Sequence, residues 1–583
     1  MPQRLLPLFL CLAFCTSTHA LRGESPKILS WGDQGDGSFK NPIINSDYSD
    51  PDAIRVGSDY YLVTSTFTLS PGITVLHSKD MVNWQIIGHA ISDLADFDKE
   101  YSPDVMKGYG RGVWAPAIRY HDGKFWVYVL DASHGLYMST ATNPAGPWTP
   151  AHQVFKRQSF DDCCPFWDDD GQMYLSCASF ARNGKNADKR SSYDLYIFKL
   201  SPDGRSNQDE GTIVHVGNLC EATKLYKING YYYLFYCENF PDCNRVQLAM
   251  RSKNIYGPYE IHRLCQSRTK QEGDCAAQGG LVQTEKGDWY YLHHWAVFSN
   301  GVGRTLALEP VHWIDGWPIL GDVQPDGVGK MVLEGKKPII GFPIIRPQTE
   351  VEFNSPQLGL QWQWNHSPRN DKWSLTERKG CLRLYASVPV QSPATKPNAA
   401  LTPTSSPSPS PSTASAPSPT PKAASATPKK DRLDTPERHT FDMACNTLLQ
   451  RVMGDQSGEA TTCIDTSHMA NGQVAGLCVV TANQGMLQIV QQNNQRSLRA
   501  YSNAKMQDAI PLTTDKVWLR FNNQKNVYQF SYSTNGEKFV PIGEKFGTGS
   551  WYHWRGVEFG LFCWNELKPE GFIDVSSFTY TYE

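Results

Sequence analysis

Asp50, Asp162 and Glu221 stand at matching points of a pattern that recurs through the N-terminal half of the chain. Each opens a short apolar run, followed by a turn built on Gly, Asp or Asn and then by an aromatic run. The three segments are "DPDAIRVGSDYYLV", "DCCPFWDDDGQMYLSC" and "EATKLYKINGYYYLFYC". "WAPAIRYHDGKFWVYV" from Trp114 and "QGGLVQTEKGDWYYLHH" from Gln278 repeat the pattern without an acid. Carboxylates brought close together raise one another's pKa, so a sequence shaped by stability alone would avoid gathering three. Spacing alone leaves three uses open: an acid and base for bond cleavage, an oxygen-rich cation site, or solvated turn positions.

The pattern itself reads as a β-hairpin, two strands about a Gly-, Asp- or Asn-based turn. Starts at 50, 114, 162, 221 and 278 lie 64, 48, 59 and 57 residues apart, room for about four strands each, the size of a propeller blade. The expectation is an all-β chain that begins with a five-bladed β-propeller over 30–345; a β-sandwich or a longer solenoid is the alternative. In a propeller the first strand of each blade is innermost, so residues at equal phase meet around the axis. Asp50, Trp114, Asp162, Glu221 and Gln278 are those residues.

The chain has 583 residues, 12% of them aromatic, with 55 basic against 58 acidic side chains. That balance argues against a nucleic-acid surface. The start, "MPQRLLPLFLCLAFCTSTHA", carries one Arg, an apolar run from Leu5 to Cys15 and small or polar residues up to Ala20. It predicts a secretory signal peptide over 1–20 and a secreted, extracellular protein. No later stretch is apolar enough to cross a bilayer, so no membrane partner is expected. Thirteen cysteines remain beyond residue 20, and some disulfides are expected of a secreted chain. Residues 393–428 contain no aromatic residue and ten prolines, the composition of an extended tether. "WSLTERKGCLRLYA" before it and "NTLLQRV" after it both read as strands. The expectation is a second, β-sandwich domain over 346–583, interrupted by a disordered Pro/Ser/Thr-rich insertion at about 391–436. Asn365-His366-Ser367 is a glycosylation sequon followed by Pro368.

"NPIINSDYSDPDAIRVGSDYYLVTST", "GVWAPAIRYHDGKFWVYV", "DDCCPFWDDDGQMYL", "EATKLYKINGYYYLFYCE" and "GRTLALEPVHWIDGWPILG" together resemble glycoside hydrolase family 43, a family of β-xylosidases, α-L-arabinofuranosidases and arabinan-degrading enzymes. The resemblance implies a five-bladed propeller and an inverting mechanism. It implies Asp50 as general base, Glu221 as general acid and Asp162 as the carboxylate that orients the acid and tunes its pKa. Counting back from the "DDDG" turn selects Asp162 for that role; aligning on Phe160 would select Asp161. Asp168, Asp169, Asp170 and Gly171 then read as a solvated hairpin turn. Trp114 and Phe67 match aromatics that wall the sugar subsite, and Arg304 matches an arginine that binds substrate hydroxyls. An inverting pair stands roughly 6.5–9.5 Å apart to admit water.

Two positions depart from the family pattern. Gln278 stands where many members have a His that supports calcium or water, and Ala222-Thr223-Lys224 replaces Gly-Pro-His. No cofactor is required, and a structural calcium is compatible with the site without being claimed. The segments from Thr349 onward resemble the concanavalin-A-like sandwich that follows the propeller in part of the family. The expected partner is a plant cell-wall polysaccharide or oligosaccharide rich in xylose or arabinose, attacked from its end. A catalytically inactive carbohydrate-binding propeller is the alternative, motivated by the altered residues after Glu221.

Overall fold

The computed structural model describes residues 29–180, 192–240, 245–266, 276–296, 301–349, 352–390, 435–549 and 553–583. The segment expected to be a signal peptide and the Pro/Ser/Thr-rich tract lie outside these residues. The fold is all-β, with one α-helix, Pro436–Asp442, among the described residues.

Each of the five expected hairpins forms and opens an antiparallel four-stranded array; the fourth gains two further short strands. The first strands are Asp52–Val56, Trp114–His121, Phe160–Trp167, Glu221–Ile228 and Ala277–Gln283. Neighbouring first strands touch in chain order, and the fifth touches the first. Turn chemistry fixes their registers: Asp122-Gly123 and Asn229-Gly230 hold both residues at positive φ, the backbone that a tight I′ hairpin turn demands. In the third hairpin Asp168 is no solvated turn residue. It accepts hydrogen bonds from Lys227 Nζ at 2.5 Å and from the Tyr232 hydroxyl, tying the third sheet to the fourth.

The C-terminal half packs an eight-stranded sheet against a seven-stranded one. Val517, Leu519, Phe521, Phe559, Leu561 and Phe578 are among the residues buried between them. Strands on either side of the tract share these sheets: Gln363–Asn365 pairs with Leu448–Arg451, and Leu382–Tyr385 with Phe572–Tyr582. The tract therefore interrupts one domain. The last strand of the eight-stranded sheet is Leu69–Ser70, from the N-terminal half, so the halves are joined by backbone hydrogen bonds next to Phe67.

One further expectation is corrected. Asn365 is 2% exposed and donates to the Tyr109 hydroxyl at 2.7 Å, so the sequon is sealed inside the fold. Cys163, Cys164, Cys177 and Cys220 are buried thiols outside any disulfide, Cys164 accepting hydrogen bonds from Arg119 Nη2 at 2.7 Å and from the Leu225 amide at 3.2 Å; Cys243 and Cys275 lie outside the described residues. Because the sheets close across the tract, excising residues 400–425 is expected to leave the unfolding Tm within about 2 °C of the full chain, no more than the shift that about 1 kcal/mol gives a domain of roughly 150–250 residues. A calorimetric scan checks this, and a fall of 10 °C would show that the tract belongs to the core.

Candidate active site

The first strands share one irregularity at the same end. Ala115, Asp162, Ala222 and Gln278 have φ of 34, 53, 67 and 57°, and the strand pairing slips by a residue at each. Asp50, φ 53°, holds the equivalent place just before the first strand. A left-handed backbone costs an L-residue roughly 1–2 kcal/mol, and such strain persists where the surroundings over-determine it, often at functional sites. The bulges also correct the phase read from the sequence. Asp50, Asp162 and Gln278 are equivalent, whereas Trp114 and Glu221 come one residue early, level with Asp161.

A pocket of about 300 Å³ lies over these ends, at the small end of the range for ligand sites. All six expected site residues, Asp50, Phe67, Trp114, Asp162, Glu221 and Arg304, line it, together with Asp161, Phe180, Tyr193, Gln278 and Trp554. Phe67 and Val113 exchange backbone hydrogen bonds at 3.0 Å, which sets the Phe67 and Trp114 walls side by side. Trp554 comes from the sandwich. Its loop is held by Asp47, whose Oδ2 accepts the Gly556 amide at 2.8 Å while Oδ1 accepts the Arg304 amide at 3.0 Å.

Asp50 is 4% exposed. Arg304 Nη1 lies 2.5 Å from its Oδ1, the Ser65 hydroxyl donates to Oδ2 at 2.5 Å, and its amide donates to His294 Nδ1 at 3.1 Å. Arg304, expected on substrate hydroxyls, is thus ion-paired with the carboxylate while its Nη2 donates to the Trp554 carbonyl at 3.3 Å. Asp162 is fixed by the Ala222 amide on Oδ2 and by Gln278 Nε2 on Oδ1 at 2.7 Å. Gln278 therefore hydrogen-bonds the third carboxylate. Glu221 is less enclosed, and Arg245 donates to its Oε1. Among the described residues no group of three or more His, Cys, Asp or Glu side chains is arranged to hold a metal ion.

These contacts divide the acids. Burial pushes the Asp50 carboxyl up, but the Arg304 charge and the His294 and Ser65 contacts outweigh it and hold the group far below the ordinary range. Burial also holds the His294 ring down to about 4; with Nδ1 accepting the Asp50 amide, it is neutral. Among the described residues no cation forms an ion pair with Asp162: burial, then Glu221 and Asp50, push it from 3.8 up to about 7, against an opposing pull from buried Lys224. Asp161 is pushed well up by burial, Asp162 and Glu221. The same pocket therefore pulls its carboxyls in opposite directions, Asp50 toward the ionised form and Asp161 and Asp162 toward the protonated one.

A sequence model described as "Glycosyl hydrolases family 43" matches residues 39–318, and one described as "Beta xylosidase C-terminal Concanavalin A-like domain" matches 350–419 and 415–581. A β-xylosidase of Formosa agariphila is 36% identical over 95% of this chain and 92% of that protein. The chain belongs to glycosyl hydrolase family 43. Like the family, it is a glycosidase with a propeller-type N-terminal half and a C-terminal sandwich. A non-reducing-end α-L-arabinofuranosidase of Bacteroides ovatus is 33% identical over 60% of this chain and 65% of that protein. Among solved structures, a xylan β-1,4-xylosidase of Bacillus halodurans superposes with a TM-score of 0.74 at 22% identity, over 93% of this chain and all of that one, a likeness of fold.

For this family 43 member, sequence reasoning missed Ser65, His294, Arg245, Tyr193 and Trp554. Ser65 sits in the quoted first motif, but no spacing rule points to the others. Two predictions follow from the charge division. With Arg304→Met, burial governs Asp50, which keeps its proton to higher pH; the acid limb of kcat/KM should move up by about 1–3 pH units. An unmoved limb in the pH–rate profile would remove Arg304 as the cause. Asp162 binds its proton more tightly folded than unfolded, so it costs stability as pH rises from 3.8 to about 7. Asp162→Asn should raise Tm over wild type by an amount that grows across that window and is level above it, while activity falls.

Proposed function

We propose that the protein is a secreted, inverting, exo-acting glycosidase that removes xylose or arabinose units from xylan- or arabinan-type plant polysaccharides and their oligosaccharides. The observation that carries this is the single pocket in which Asp50, paired with Arg304, is set apart electrostatically from the Asp161, Asp162 and Glu221 side. The names of the relatives, β-xylosidase and α-L-arabinofuranosidase, supply the sugar class. The signal-like start at residues 1–20 supports secretion.

In this reading 30–345 is a five-bladed propeller, supported by the five arrays and the circuit of first-strand contacts, and 346–583 is the sandwich. Ionised Asp50 takes a proton from a water that attacks the anomeric carbon. Glu221 gives its proton to the leaving glycosidic oxygen through Oε2, because Arg245 holds Oε1. Asp162, braced by Ala222 and Gln278, sets the charge beside Glu221. Phe67, Trp114 and Trp554 wall the sugar. Arg304 fixes Asp50 and lines the pocket, within reach of sugar hydroxyls.

Digests of a linear xylan and a branched arabinan are expected to release monosaccharide, with the first-formed anomer inverted by NMR. Glu221→Gln and Asp50→Asn, each assayed well below its Tm, should lower kcat/KM by about 10²–10⁴-fold, the usual worth of general acid–base groups; Asp50→Asn should also lower Tm, because it leaves the buried Arg304 charge unpaired. Release of long oligosaccharides would contradict end attack, and retained activity in both variants would sink the assignment.

A further inference from the structure

Asp161 is the fourth carboxyl of the pocket, and the hydrolytic roles above do not use it. It precedes the left-handed Asp162 in the third sheet, as Glu221 precedes Ala222 in the fourth and Trp114 precedes Ala115 in the second. These sheets are neighbours, so Asp161 stands on the pocket lining between an aromatic wall and the acid. In the fifth sheet the same place is filled by Ala277, which is buried. Apolar filling is thus compatible with the bulge, and an acid is not needed to build it.

Asp161 Oδ1 accepts the Asp162 amide at 2.8 Å, which orients the carboxyl. Its Oδ2 has no hydrogen-bond partner among the described residues and is not among the orphaned atoms sealed from solvent; Asp161 lines the pocket. Burial and the flanking Asp162 and Glu221 favour its protonated form, which both donates and accepts. A sugar that displaces water from the pocket would leave this polar group unpaired unless one of its own hydroxyls meets it, and an unmade buried hydrogen bond is costly.

We infer that Asp161 hydrogen-bonds a ring hydroxyl of the sugar seated in this pocket and is a specificity-determining residue, selecting between glycones by where that hydroxyl points. This rests on the pocket being the sugar site. Asp161→Ala and Asp161→Asn would be compared with wild type on aryl β-xyloside and aryl α-L-arabinofuranoside, with calorimetric Kd values for free xylose and arabinose alongside. The Ala variant should lose about 10²-fold or more in kcat/KM on the preferred glycoside and less than about 10-fold on the other, as expected when a hydroxyl-binding group is removed. The Asn variant, which can still donate and accept, should recover most of that loss. Equal loss on both glycosides, or changes within about 3-fold, would overturn the inference. If wild type cleaves neither glycoside, the hydrolytic reading fails on its own; a xylose-to-arabinose Kd ratio unchanged in Asp161→Ala would still refute the role of Asp161.

Discussion

Gathering four carboxyls in one small pocket is possible only if their charges are not all present together, and the Arg304–Asp50 ion pair is what makes that division. Two like charges about 4 Å apart repel by about 4 kcal/mol at an effective dielectric of 20, too much for several buried neighbours to ionise at once. Arg304 draws one negative charge onto Asp50. Asp161 and Asp162, without such a partner, retain protons. The asymmetry between Asp50 and the Asp161–Asp162 pair thus follows from where the Arg304 guanidinium is placed, while Arg245 pairs with Glu221.

That placement depends on the whole molecule. Arg304 begins a strand of the fifth sheet, and Asp50 sits in a strained backbone ahead of the first. Asp47 holds the Arg304 amide with one oxygen and the loop of Trp554 with the other. Leu69–Ser70, two residues beyond Phe67, is an edge strand of the sandwich. The C-terminal domain is therefore part of the pocket wall and part of the scaffold for its floor. Left-handed residues at the mouth cost stability, as does the raised Asp162. Strained, charge-crowded sites of this kind are where function and stability oppose each other.

Much of this was legible in the sequence because it depends on local pattern. Asp-Gly and Asn-Gly turns marked the hairpins, and repeat spacing marked the sheets. Motif order brought Asp50, Asp162 and Glu221 together correctly. The phase of Glu221 was misread by one residue, because a bulge inserts a residue without altering the alternation on either side. Trp554 could not be found, since nothing in "SWYHWRG" shows that it reaches a pocket more than 200 residues earlier in the chain. Arg304 was found as a site residue, but its attachment to Asp50 is a tertiary fact. Asp168 looked solvated and Asn365 read as part of a sequon because neither Lys227 nor Tyr109 is marked as their partner by sequence.

The charge division requires that Asp50 be ionised while Asp162 is protonated at the same pH. Difference infrared spectroscopy of the carboxyl stretch, titrated in wild type and in Asp162→Asn, tests it most directly. The expected result is a protonated carboxyl signal that persists to about pH 7 in wild type and loses the Asp162 contribution in the variant, with Asp50 still ionised at about pH 3, below the usual aspartate value. A wild-type protein whose pocket carboxyls all lose their protons between about pH 3.5 and pH 5 would contradict it.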